Sequence, residues 1–188
     1  INIKIPPDPT VEETQKITDE VSNLLNNRKF SELIQHPEMT NPEAIAAMRV
    51  LNTISVPAYL TSDKLFLVVV LTQVKLSIEQ GNCAISASAY ARYGIALCGA
   101  SNQIELGCQS GKLALQLLEK FDNAETKTRT LLMVGNLVSP WQQHLRTSIS
   151  LLQNAYETGL NSGNFEPASL ARLYESQLRY LAGEPLAE

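Results

Sequence analysis

The sequence is poor in the residues that most often carry chemistry: 3 cysteines, 2 histidines and 1 tryptophan in 188 residues. Cys83, Cys98 and Cys108 stand fifteen and ten residues apart. That odd set makes neither a disulfide framework nor a zinc-ligand spacing, and reads as reduced core thiols of a cytoplasmic protein. His36 and His144 have no partner at a metal-ligand spacing, so no metal site is expected. A Gly-x-Ser-x-Gly elbow is missing and no Cys–His pair is visible, so no catalytic residue is assigned. Long apolar runs are missing too. The longest, Leu65 to Leu71, falls far short of the roughly 20 residues a membrane helix needs. Basic clusters are absent, Arg28-Lys29 being the sole adjacent pair, and the net charge is −4. Both facts argue against nucleic acid or an anionic membrane as partner. The opening Ile1-Asn2-Ile3-Lys4-Ile5-Pro6-Pro7 lacks an initiator methionine and the pattern of a signal peptide, and reads as a linker from a preceding domain.

What is present is a core. Hydrophobic residues make up 44% of the chain against 18% charged, enough for one domain of ordinary size. Residues 1–9 read as an extended linker and 10–188 as a single helical domain. Helix starts and stops then recur along the chain. Thr10 with Glu13 forms a capping box, Asn41-Pro42 opens a second long helix, and Ser62-Asp63 opens a third that Gly81 closes. Val68-Val69-Val70 would suit a strand, but the segment is too long for one, and Val74 and Ile78 continue a helical face. Further starts are read at Asn82, at Asn102 with Glu105, at Asp122 with Glu125, at Ser139-Pro140-Trp141-Gln142 and at Asn164. Gly99, Gly163 and Gly183 are read as stops. The pattern predicts an all-α chain of about seven long helices and one short one, joined by short loops into antiparallel hairpins.

One internal repeat stands out. Gly81-Asn82-Cys83 opens a helix with Ala84, Ala87, Tyr90, Tyr93 and Leu97; 82 residues later Gly163-Asn164-Phe165 opens one with Ala168, Ala171, Tyr174, Leu178 and Leu181. Tyr90, Tyr93-Gly94 and Leu97, followed by Gly107, Gly111 and Ala114, follow the spacing of a tetratricopeptide hairpin, in which small residues let two helices approach closely. Hairpins of this kind stack into an α-α superhelix. The last helix is broadly apolar for a terminal element, through Leu170, Leu173, Tyr174, Leu178, Tyr180 and Leu181. The expectation is therefore either that the natural chain continues past Glu188 or that this end packs on something, such as a second copy of the chain.

Gly107-Cys108-Gln109-Ser110-Gly111-Lys112 is not a phosphate loop. It has three residues between its glycines instead of four, Leu113 in place of Ser or Thr, and a helical setting. The acids Glu12, Glu13, Asp19 and Glu20 read as a solvated helix face. Trp141 is read either as a partner anchor or as filling between hairpins. With Tyr90 and His144 it makes the partner-binding set predicted here; no cofactor is expected.

The ordered series Tyr90-Ala91-Arg92-Tyr93-Gly94-Ile95 to Cys98-Gly99, Gly107 to Leu115 with Phe121, Trp141 with Leu145, Leu151-Leu152, Ala155-Tyr156, Gly159 and Gly163-Asn164-Phe165 resembles a helical-repeat region of large bacterial signalling proteins, common in cyanobacteria. Those proteins join a serine/threonine kinase domain, an AAA-type ATPase, this helical region, a GAF sensor domain and often a histidine kinase. The resemblance covers roughly residues 40 to 183. It implies that the catalytic parts lie elsewhere in a parent chain, since none of their motifs maps here. The expected role is a non-catalytic interaction and regulatory module that docks partner proteins or neighbouring domains. The other reading is a small-effector sensor with a pocket between hairpins near Trp141 and Tyr90.

Overall fold

The computed structural model describes residues 3–26 and 28–184. Readings that fall on Ile1, Asn2, Asn27 and residues 185–188 lie outside the described residues. The described chain is all-α: α1 Val11–Asn26, α2 Phe30–Leu33, α3 Pro42–Thr61, α4 Asp63–Gln80, α5 Ala84–Gly99, α6 Ile104–Lys120, α7 Ala124–Met133, α8 Leu145–Ser162 and α9 Phe165–Leu181. Eight of these nine helices are long, one more than the pattern predicts. Extended pairing among the described residues is confined to one isolated bridge, Glu38 with Asn82. Residues 3–9 are non-helical, and Ile3 and Ile5 lie against the core.

Several helix starts are where the sequence puts them. The Thr10 hydroxyl accepts from the Glu13 amide at 3.1 Å while Glu13 accepts from the Thr10 amide at 2.9 Å. Asn41 accepts from Glu43 N at 3.0 Å with Pro42 behind it, and Ser62 accepts from Leu65 N at 3.3 Å. Gly81 and Gly163, at φ +98° and +75°, turn the chain out of α4 and α8. Four starts differ. Asn82 does not cap α5; its amide donates to the Leu33 carbonyl at 2.6 Å, and Cys83 holds the cap position, its N–H bonded to Ser86 Oγ at 3.0 Å. Asn102 takes φ +51° and leaves the cap position of α6 to Gln103. Asn123, not Asp122, accepts from Thr126 N, at 2.9 Å.

The largest difference lies at Ser139. Instead of opening a long helix, Ser139–Trp141 is a 3₁₀ turn at the end of a π turn, Val134–Val138, that continues α7. Ser139 is buried there, and α8 begins only at Leu145, capped by His144 Nδ1, which accepts from Arg146 N at 3.2 Å. Gly99 also differs: α5 runs through it without positive φ, and Ala100 ends the helix in right-handed geometry. α3 runs through Pro57 to Thr61.

The packing follows from small residues. α3 with α4, α5 with α6 and α8 with α9 form hairpins, and α7 packs on α8. A Cβ at Gly107 of α6 would lie 2.4 Å from Cys98 Sγ and 2.9 Å from the Gly94 carbonyl of α5. A Cβ at Gly159 of α8 would lie 2.7 Å from the Ala168 Cβ of α9. The α5–α6 and α8–α9 hairpins thus each use a missing side chain to bring two helices together. α5 sits at the centre, in contact with α3, α4, α6 and α7. Its Ala87, Ala89, Tyr90 and Ala91 are fully enclosed, and burial of a side chain the size of Leu71 or Leu113 contributes about 1.5–3 kcal/mol. Helices α3, α5, α7 and α9 also touch in succession, forming one continuous row.

Candidate functional site

That row carries a cleft of about 290 Å³. α3 contributes Ser55, Val56 and Tyr59; α5 contributes Arg92 and Ile95; α7 and its π turn contribute Arg129, Leu132, Met133, Asn136 and Leu137; α9 contributes Glu166, Leu170 and Tyr174; Phe66 of α4 completes the wall. Val56, Tyr59 and Leu137 are exposed, so the rim is apolar and open to solvent. Tyr59 stands edge-on to Phe66 with ring centroids 5.3 Å apart. Asn136 and Leu137 reach the cleft from the π turn, whose extra residue per turn re-aims side chains that a regular helix would place elsewhere.

Arg92 is the unusual member. It is 4% exposed. Its Nη2 donates to Asn52 Oδ1 at 2.9 Å and its Nη1 to Gln73 Oε1 at 3.5 Å. Both acceptors are neutral. Among the described residues no carboxylate pairs with it. Gln73 and Ser55, at 0% and 1% exposure, extend the same polar network beneath the cleft, with Ser55 Oγ 3.5 Å from Gln73 Oε1. Burial, with Arg129 close by, pushes the Arg92 guanidinium down to about 10, so it stays charged at neutral pH. Arg129 has its own partner, Glu166 of α9, at 2.7 Å. The two arginines and one glutamate leave the cleft wall one net positive charge.

None of the predicted partner-binding residues lines this cleft. Tyr90 is fully enclosed and its hydroxyl has no hydrogen-bond partner. Burial raises its pKa. It offers no surface to a partner. Trp141 is half exposed rather than packed between hairpins, and its indole N–H donates to the Leu137 carbonyl at 3.1 Å. It therefore ties the 3₁₀ turn to the π turn. His144 is exposed and acts as the α8 cap. Cys98 and Cys108 are buried thiols, Cys98 pushed up to about 11 by burial and by Cys108 beside it. Among the described residues no cluster of His, Cys, Asp or Glu could hold a metal ion.

Sequence reading passed over Arg92, Arg129 and Glu166. A signal for Arg92 was present: it is the one charged residue in the sixteen of α5, between alanine and tyrosine. The lone cation in an otherwise apolar helix marks a position where charge is held inside.

No protein-family model matches the chain. No solved structure matches it. Among curated proteins, it is 26% identical over 152 residues to hybrid signal transduction histidine kinase G of Dictyostelium discoideum. That match takes in 80% of this chain but 4% of the relative's length. No helix among the described residues is long and apolar enough to cross a membrane. The chain is thus an all-α segment similar to a small stretch of a signalling protein.

Proposed function

We propose that this segment is a non-catalytic, tetratricopeptide-like docking module of a larger signalling protein. In this reading the parent carries serine/threonine kinase, ATPase and histidine kinase parts, and the segment acts in the cytoplasm. Its α3–α5–α7–α9 cleft holds a segment of a neighbouring domain or of a partner protein. The observation that carries the reading is the cleft itself: alternate helices of the array line it, its rim is apolar and exposed, and one side is open. Stacked helical hairpins present such grooves to peptides and helices. The similarity to a stretch of a histidine kinase agrees with a regulatory setting.

The test is thermal unfolding of the chain with and without the segments that adjoin it in its parent, in wild type and in Tyr59→Glu and Leu137→Glu. Anything that binds only the folded state raises the melting temperature. The adjoining segments are expected to raise it by several degrees, and either rim substitution to remove that increment. An increment that survives both substitutions, or no increment at all, overturns docking at this cleft. A melt that rises with chain concentration would instead place a second copy on an exposed apolar face such as Leu173, Tyr180 and Leu181 of α9.

A second reading, a sensor for a small anionic effector, rests on the cleft volume, about 290 Å³, at the lower end of the range for small-ligand sites. An effector would raise the melt of the isolated chain with no protein partner present.

A further inference from the structure

A buried guanidinium is costly to desolvate and is usually held by a carboxylate. Arg92 has neutral amide acceptors on one side and the cleft on the other. Its planar fork carries five donors, and the two bonds to Asn52 and Gln73 leave donors unused. Glu166 is engaged by Arg129 and neutralises that charge, not this one. The charge left over is a single positive one, set among Ile95, Leu132, Met133, Leu137, Leu170 and Tyr174. A monoanion matches it. A phosphate, near two negative charges at neutral pH, would leave an excess negative charge in an apolar cleft. The apolar side chains on either side of Arg92 call for apolar groups flanking that monoanion.

We propose that the occupant of the cleft is a protein segment bearing one carboxylate between apolar side chains, and that Arg92 is the residue that binds the carboxylate. This rests on the docking reading above and adds the chemistry of the partner. A carboxylate meeting Arg92 edge-on makes two parallel N–H···O bonds, a geometry lysine cannot supply. The apolar flanks fill the space between Tyr59 and Tyr174. Asn52 and Gln73 hold the guanidinium plane in place from behind, so the site is preorganised.

The experiment is a titration of the isotope-labelled chain, followed by NMR, with three blocked peptides: acetyl-Leu-Phe-Glu-Leu-Phe-amide, its Gln counterpart and its phosphoserine counterpart. The methyl signals of Leu132, Leu137 and Leu170 report occupancy, and the arginine Nε–Hε signals report contact with Arg92. The Glu peptide is expected to bind at least about tenfold more tightly than the Gln peptide, as a charge-assisted bond at a partly buried site requires. Arg92→Lys is expected to erase most of that ratio while the methyls still shift. Equal binding of the Glu and Gln peptides overturns the carboxylate inference and leaves the docking reading standing. Tighter binding of the phosphoserine peptide overturns it in favour of phosphate. Methyls unmoved by all three peptides overturn both readings. A free carboxylate, 4-phenylbutyrate, serves as the fourth arm: tighter binding than the Glu peptide overturns the choice of a protein segment in favour of a small effector. The comparison of peptides on wild type needs no variant to fold.

Discussion

Gly107 and Gly99 separate two uses of glycine within one hairpin. Gly107 is a contact: a Cβ there meets Cys98 Sγ and the Gly94 carbonyl. Gly99 faces open space with helical geometry. Gly107→Ala is expected to destabilise the chain by about 1–3 kcal/mol, since the backbone carbonyl has to move. Gly99→Ala is expected to stabilise it by roughly 0.5–1 kcal/mol, through helix propensity and a less flexible unfolded chain. Denaturant unfolding of the two variants checks both signs, and equal effects would refute the distinction. Sequence reading identified Gly107 as a packing residue but took Gly99 for a stop; which glycine has a neighbour is decided by tertiary contact, to which local pattern is blind.

His36 makes the residue-scale case for charge. Arg28 Nη1 donates to its Nε2 at 2.9 Å, so the ring accepts there and carries its proton on Nδ1, which is buried without a partner. Burial, then Arg28, then Lys120 hold its pKa below the ordinary value. A base whose pKa is lowered on folding binds fewer protons folded than unfolded. The stability it confers is therefore present above about pH 6.5 and is lost as the pH falls below it. Wild type is expected to lose more stability than His36→Gln between neutral and mildly acidic pH, measured by urea midpoints. Parallel profiles would show that His36 is not the sensitive group.

At the scale of elements, helix existence was legible and helix starts were only partly so. Apolar spacing and end signals located the helical segments but counted one long helix too few, and Val68-Val69-Val70 fell in α4 as read. One start failed because two adjacent residues could both cap. Asp122 and Asn123 are both good N-caps by type, and the choice between them follows from where the preceding loop crosses. Asn123→Ala is expected to cost about 1 kcal/mol and Asp122→Ala close to nothing, read from thermal or urea unfolding. The Ser139 start failed for another reason. Ser-Pro-x-x-Gln has the chemistry of a helix opening, but burial of Val134 and Val138 draws the end of α7 into a π turn that uses up Ser139. The cleft residues Asn136 and Leu137 were illegible for the same reason, because a π turn breaks the period on which face assignment depends.

At the scale of the molecule, packing is graded outward from α5. The central helix is enclosed by four others, whereas α9 packs on α8 and α7 and exposes Phe165, Leu173, Tyr180 and Leu181. α1 is held to α4, with Lys75 bound to Glu20 at 2.7 Å across the seam. Amide hydrogen exchange is expected to show the strongest protection in α4 and α5, and earlier opening of α9 and α1, as in arrays whose units contact chiefly their neighbours. Uniform protection along the chain would mean a single cooperative block instead. The contact of successive helices followed from the short loops read in the sequence. The cleft did not, because it is made by helices that alternate along the chain and have no shared local signal.

The row of alternate helices has a mechanical corollary. The two walls of the cleft, α3 and α9, are not joined to each other by any hairpin; the distance between them is set by three packed seams in series, α3 on α5, α5 on α7 and α7 on α9. Springs in series add their extensions. A small flexure at each seam accumulates at the mouth, so tension applied to the ends of the array widens the cleft and compression narrows it, with the Arg129–Glu166 pair spanning the last seam.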